Sequence, residues 1–248
     1  MDDERTTDDG LTTRWTRSGF DRLLSVQRPV VLSHLRSVRK RDPHASPDEV
    51  IRTLEQRYVR AVTAGGAATG AAAVVPGVGT IASIGISGVE TVGFLEASAL
   101  FAQSVAEVHG VATTDPERSK TLVMALMLGP AGAGIVRQFA GEVTGTGKPR
   151  SAYWGELVSK RLPSTVLKSV TARVRKSFIR RFAARQGASV VFRAVPFGIG
   201  AVVGGAGNRI AGKGVVKATR DAFGPAPSHF PADLAGRGAD EAIGSSAS

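Results

Sequence analysis

Apolar residues recur along most of this chain at three- and four-residue spacing, the period of a helix face rather than of a strand. Val50, Ile51, Leu54, Tyr58 and Val62 form the clearest run. Just before it, Ser46-Pro47-Asp48-Glu49 supplies a serine N-cap, proline at the first helical position and glutamate three residues after the cap. That is a capping box, and it predicts a helix start. A shorter amphipathic helix is expected between Gln27 and Arg41, with Pro29 near its first turn and Val30, Val31, Leu32 and Leu35 as its apolar side. A second start signal, Thr114-Asp115-Pro116-Glu117, opens the apolar stretch Leu122–Leu128. Gly141 to Ser151 reads as a loop, Glu156 to Arg185 as a basic helical region with Pro163 as a candidate break, and a last helix ends near Phe223-Gly224.

Periodicity gives way to a different pattern between Ala61 and Val89, where 29 consecutive residues carry no charge. A continuous helix of that length would reach about 43 Å, well beyond a bilayer core of roughly 30 Å. Its centre reads Val74-Val75-Pro76-Gly77-Val78-Gly79-Thr80, and proline followed by two glycines interrupts a helix. The first arm is then about 22 Å long, too short to span. The expectation is a helical hairpin, buried in protein or dipping into one leaflet, whose second arm runs through Phe94, Leu95, Leu100, Phe101 and Val105 to a C-cap at His109-Gly110.

The same punctuation returns at Leu128-Gly129-Pro130-Ala131-Gly132-Ala133-Gly134 and at Ala194-Val195-Pro196-Phe197-Gly198-Ile199-Gly200. Candidate hairpin turns are therefore Pro76, Gly77 and Gly79, then Pro130 and Gly132, then Pro196, Gly198 and Gly200. They suggest a pseudo-repeat of hairpins. The uncharged run Thr121–Val136, 16 residues long, is also short of a membrane span. Two small-xxx-small patterns, Gly66–Gly70 and Gly200–Gly204, lie in the apolar arms. Glycine costs about 1 kcal/mol against alanine inside a helix, so its accumulation points to close backbone contact between helices.

In the basic region Val166, Val170, Val174, Phe178 and Phe182 keep four-residue spacing, with Leu167 beside them. Lys168, Arg173, Arg175, Lys176 and Arg180 lie off this stripe and are the candidate anionic-lipid contacts. Arg181 and Arg185 fall inside the apolar arc, where they would snorkel or meet an acidic partner. Tyr153-Trp154 would sit at headgroup depth. The alternative is an ordinary core helix with a solvated basic face.

Charge placement sharpens this picture. The 248-residue chain has a formal net charge of +11, and between Leu157 and Arg220 it holds 14 Lys or Arg and no acid. A single-sign stretch of that length attracts anions: lipid headgroups, nucleic acid or acidic protein. Pairing of this stretch with Glu90, Glu96 and Glu107 is the competing reading. Five acids in the first ten residues do not resemble a secretory signal.

Catalytic and cofactor chemistry finds little to work with. There is no cysteine, and the four histidines (His34, His44, His109, His229) never fall at HxxxH spacing. Pro76-Gly77-Val78-Gly79-Thr80-Ile81-Ala82 contains GxGxxA, but a dinucleotide fold needs a strand before it and none is expected. Gly145-Thr146-Gly147-Lys148 lacks the first glycine and the hydroxyl of a P-loop. Glu90 and Glu96, six residues apart, lie on different faces of a helix and do not form an acid/base pair. No cofactor, metal or catalytic residue is expected, and no helix-turn-helix, zinc or RNP pattern is present.

The stretch from Arg60 through the GVGT turn, the His109-Gly110 end and the Thr114–Glu117 restart resembles the N-terminal half of EcsC-family proteins. Val195-Pro196 through Gly198-Ile199-Gly200-Ala201-Val202-Val203-Gly204-Gly205-Ala206-Gly207-Asn208, and on to Ala218–Phe223, is similar to that family's closing segment. The resemblance covers roughly Ser46 to Phe223. It implies an all-helical, membrane-associated bacterial protein, in a family named for a gene linked to an ABC transporter and without an established catalytic set. The acidic N-terminus, the proline-rich tail and the extra turn at Gly129–Gly134 depart from the family pattern.

The sequence is thus read as all-α, a helical bundle of Gly/Ala-rich hairpins. One domain over 11–223 is flanked by flexible tails at 1–10 and 224–248. The expected role is non-enzymatic, at the cytoplasmic face of the cell membrane, accessory to transport or envelope processes. Anionic lipid and a membrane-protein or transporter partner are the expected contacts. The alternative is a soluble helical protein that binds nucleic acid or an acidic partner.

Overall fold

Ser46 caps a helix start, as its side-chain pattern requires. The Glu49 amide donates to Ser46 Oγ at 3.4 Å, and Glu49 Oε2 accepts from the Ser46 amide at 2.8 Å. These reciprocal bonds satisfy two amide donors that the first turn would otherwise leave open. They also hold the Glu49 carboxyl below its ordinary pKa, the backbone hydrogen bond from Ser46 being the main cause. The computed structural model describes residues 26–72, 80–111, 114–144, 163–191 and 199–234. Among these the structure is helical, without strands: α1 (Arg28–Arg39), α2 (Pro47–Ala72), α3 (Thr80–Val108), α4 (Pro116–Met127), α5 (Pro130–Thr144), α6 (Ser164–Val191) and α7 (Ile199–Phe223).

The expected apolar stripe of α2 is the one that is buried: Val50, Ile51, Leu54, Tyr58 and Val62 all face the core. α2 forms its most extensive contact with α7, far away in sequence. Glu55 meets Arg220 at one end of this contact, Val62 lies against Gly212 in the middle, and Gly70 lies against Gly204 at the other. Rising numbers on one helix against falling numbers on the other make the pair antiparallel. The two small-xxx-small patterns are therefore brought together across one interface, with Gly66 and Gly70 on one side and Gly204 on the other. A Cβ on Gly66 would come within 2.5 Å of the Gly204 carbonyl oxygen and 2.6 Å of Asn208 Nδ2, so only glycine permits this approach.

α3 packs antiparallel to α2. The Tyr58 hydroxyl and Ser98 Oγ are 2.7 Å apart, and the Tyr58 and Phe101 rings stack at 4.7 Å. Burial pushes the Tyr58 phenol well above its ordinary pKa. At the other end of α3, Gly110 has φ 69°, its amide bonds to the Glu107 carbonyl, and the Val111 amide bonds to the Ala106 carbonyl. That is a Schellman ending, as His109-Gly110 predicts.

α4 is enclosed by α3, α5, α6 and α7, and every residue from Arg118 to Leu126 is buried. Its N-cap is Asp115, whose Oδ1 accepts from the amides of Glu117 and Arg118 at 2.9 and 3.4 Å. The buried cations Arg118 and Lys120 reach back to Asp115 and Glu117 at the helix edge, 3.2 and 2.5 Å away. Long side chains can thus lie along an apolar wall while their charges stay at the surface.

Several boundaries differ from the sequence reading. Val30 is 52% exposed, and Val31, Leu35 and Val38 make the buried side of α1 instead. α5 stays helical to Thr144, past the expected loop start at Gly141, and α6 begins after the expected break at Pro163 and runs on to Val191, past Arg185. Residues 156–162 of the expected basic region lie outside the described residues. Residues 224–234, expected to be part of a flexible tail, pack back onto the body. The Arg39 guanidinium stacks over Phe230 at 4.6 Å and donates to the Leu234 carbonyl at 2.8 Å, and Leu234 is buried. Arg28 bridges Glu107 at 2.6 Å and Asp233 at 3.3 Å, clamping α1, α3 and this segment together. The hydrogen bonds to Glu107 raise the Arg28 pKa against the opposing effect of burial.

Candidate functional site

Pro163 cannot donate an amide within a helix, so α6 begins at Ser164, directly after it. Leu167, Val170, Val174 and Phe178 then point into the core, and Thr171 Oγ1 lies 2.8 Å from Thr121 Oγ1 of α4 in a buried cross-helix bond. The apolar stripe of α6 is thereby committed to α4 and α5. This corrects the picture of an amphipathic helix whose apolar side enters a membrane surface: that side is inside the protein. The side chains of Phe182 and Arg185, like Tyr153-Trp154, lie outside the described residues.

Of the candidate lipid contacts, Lys168, Arg173, Lys176 and Arg180 are exposed on the outer side of α6, and Arg175 is half-buried. Ile179, 46% exposed, is the large apolar residue among them. Arg181, which the sequence places in the apolar arc, is exposed. Its guanidinium donates to the Leu128 carbonyl at 3.4 Å, at the C-terminus of α4, where the helix dipole favours a cation.

The candidate turns fare differently. Pro76, Gly77, Gly79, Pro196 and Gly198 lie outside the described residues. Gly200 is already helical, within the first turn of α7. At the middle site the reversal is centred on Gly129, with φ 62°, and Pro130 opens α5. Gly132 is a helical residue whose missing Cβ leaves room for the Ala125 carbonyl of the preceding helix. The motif is thus a helix–helix corner, tight because proline starts the second helix and glycine lets the first one close against it.

Glu107 and Glu55 pair with arginines outside the basic helix. Glu107 bridges Arg28 of α1, and Glu55, buried, takes two hydrogen bonds from Arg220, with Arg220 Nε at 2.6 Å from Oε1. Those bonds raise the Arg220 pKa. Glu90 accepts from Asn208 of α7 at 3.0 Å, and Glu96 is exposed. The spacing rules missed these pairings because the partners are 79 to 165 residues apart, and nothing local marks them. A second cluster of cations lies at α1 and α2. Burial, then Arg57, lowers the His34 pKa, and burial, then Arg41, lowers that of Arg57.

A groove of about 180 Å³ opens between α4, α5 and α7, apolar at Ala125, Leu126, Ala133 and Ala222 and flanked by Arg137 and Asp221. Its lining contains no nucleophile beside a base. Among the described residues no group of three or more His, Asp or Glu could hold a metal ion, and no helix is long and apolar enough to cross a membrane. Residues 73–79, which include the start of the GxGxxA stretch and the residues before it, lie outside the described residues, and the rest of the stretch is the first turn of α3. No protein-family model, curated protein or solved structure matches the chain.

Proposed function

We propose that this chain is a non-enzymatic, membrane-associated helical protein that meets anionic lipid through the outer face of α6, in a role accessory to transport or envelope processes. The observation that supports this reading is the exposure of Lys168, Arg173, Lys176 and Arg180 on one acid-free helix. The EcsC-like small-residue motifs point the same way, and the cytoplasmic leaflet is the anionic surface such a face would meet.

Magnitude limits what this face achieves alone. Each cation near an anionic membrane contributes about 1 kcal/mol, so four contribute about 4 kcal/mol, which corresponds to roughly millimolar binding. With the apolar stripe of α6 buried, stable residence requires a second attachment, either a lipid-inserted segment or a membrane-protein partner.

Sedimentation with phosphatidylcholine vesicles, with and without phosphatidylglycerol, tests the reading. Binding should require the anionic lipid and weaken with salt. The combined variant Lys168→Glu, Arg173→Glu, Lys176→Glu and Arg180→Glu should weaken this dependence. Unchanged anionic-lipid dependence in that variant would refute the assignment. Because burial of the stripe leaves mainly electrostatics on this face, nucleic acid or an acidic protein is the second reading. Salt-sensitive binding of duplex DNA together with indifference to vesicles would favour it.

A further inference from the structure

The charged residues of α2, α3 and α7 stop within about two turns of one another along the bundle. On α2 the last charge before the helix end is Arg60, on α3 the first is Glu90, and on α7 the first is Arg209. Asn208 joins Gly66 to Glu90, so the limits on α3 and α7 fall side by side, and Tyr58 and Val62 lie against Gly212, which puts Arg60 little more than one turn further from the helix ends, level with Lys213. Beyond them extend 61–72 of α2, 80–89 of α3 and 199–208 of α7, all helical and all without charge. At 1.5 Å per residue these ends are about 15–18 Å long, the depth of one hydrocarbon leaflet in a core of about 30 Å.

Where side chains are described, on α2 and α7, the outward surface towards this end is apolar as well. Val202 and Ile210 are 71% and 73% exposed, and Ala206 between them is exposed on the same side of α7, turned away from the glycines that touch α2. Ala64 and Ala68 are likewise exposed on α2, on the side away from Gly66. A docked protein would cover one side of such a pair. A lipid phase surrounds it. Where the apolar end stops, Arg60, Arg209 and Lys213 are exposed at headgroup height, and Glu90 takes the hydrogen bond from Asn208.

We propose that the joined ends of α2, α3 and α7 insert into one leaflet of an anionic membrane, as a three-helix tip with Arg60, Arg209 and Lys213 as its headgroup collar. The proposal rests on the membrane reading above and supplies the second attachment which that reading requires. Only residues 192–198 separate the end of α6 from the start of α7, so the basic helix ends within about 30 Å of the tip.

The absence of cysteine makes single-site labelling direct. The full chain carrying Ala68→Cys or Ala206→Cys, each with a polarity-sensitive fluorophore, is mixed with phosphatidylcholine–phosphatidylglycerol vesicles. Both labels should shift to the blue and be quenched by lipids spin-labelled in mid-chain, while a label at Ser169→Cys on α6 should not be quenched from that depth. The double variant Ala64→Asp and Ala68→Asp, with helicity checked by circular dichroism, should bind these vesicles at least about tenfold more weakly. Vesicle binding with aqueous tip labels, or with undiminished affinity of the double variant, overturns the insertion and leaves the α6 reading standing. No vesicle binding at all removes both. Labels shielded without lipid in a particle of twice the mass would instead assign the tip to a second copy of the chain, and overturn it too.

Discussion

The α2–α7 pair uses two kinds of contact along one interface. At the Glu55–Arg220 end the helices are held by long side chains, a buried carboxylate reached by a guanidinium whose own side chain is 62% exposed. At the Gly66–Gly204 end backbone meets backbone, with the Asn208 side chain beside the contact. The charged end tolerates some separation, because an arginine can follow its partner. The glycine end does not, since van der Waals contact is lost within a fraction of an ångström. The first kind of contact suits a region open to water. The second also works where water is absent.

The largest test is to place a side chain in the glycine contact. Gly66→Val would press on the Gly204 carbonyl and displace the Asn208 amide from Glu90, and should cost about 3 kcal/mol of unfolding free energy in urea titration. A loss below about 1 kcal/mol would mean the helices are less closely joined. Next comes Glu55→Ala at the other end. Arg220 can regain water, so the loss should be smaller, about 1.5 kcal/mol, and insensitive to further change at Arg220.

A sign reversal sharpens the comparison. Gly65 and Gly207 sit in the same two helices, but a Cβ there meets nothing within 4 Å. Gly65→Ala and Gly207→Ala should each raise stability by about 0.5–1 kcal/mol, measured by the urea midpoint. If either destabilised, exposure at these positions would be wrongly assigned.

The smallest effect concerns pH. His109 stacks on Phe223 at 5.2 Å where α3 and α7 end, and burial lowers its pKa from 6.5. The unfolded chain then takes up the proton first as pH falls. Stability contributed by neutral His109 is therefore complete above 6.5 and is lost progressively as pH drops through the lowered folded value. Thermal melts across that range should show a shallower acid slope in His109→Phe than in the parent, and equal slopes would count against the assignment.

Local signals carried the helices well. Ser46, Asp115, Pro116, Gly110 and Gly224 mark their ends by backbone chemistry that acts within a few residues, so those ends are readable in the sequence. The pairing of helices is not. Gly66 and Gly204 advertise close contact but not with whom, and Glu107 choosing Arg28 over the basic helix depends on the path of the whole chain. The stripe of α6 illustrates the limit most clearly. Val170, Val174 and Phe178 fit a membrane-facing helix and a core-facing one equally well, because both environments exclude water. What decides between them is the neighbouring α4, which no periodicity in α6 can reveal. For the candidate site, the basic residues themselves were legible and the fate of the opposite face was not.

The closeness of α2 and α7 has a consequence for the order of assembly. Glu55 and Arg220 are 165 residues apart, so during synthesis α2 leaves the ribosome long before its main partner exists. Throughout that interval Gly66 and Gly70 face outward without cover, next to an alanine-rich surface. Contacts this remote slow the search for the native arrangement and expose the nascent chain to association. An early hairpin with α3 shields one side only. The glycine side must wait for α7, and until then its bare backbone is the part of the chain most open to association.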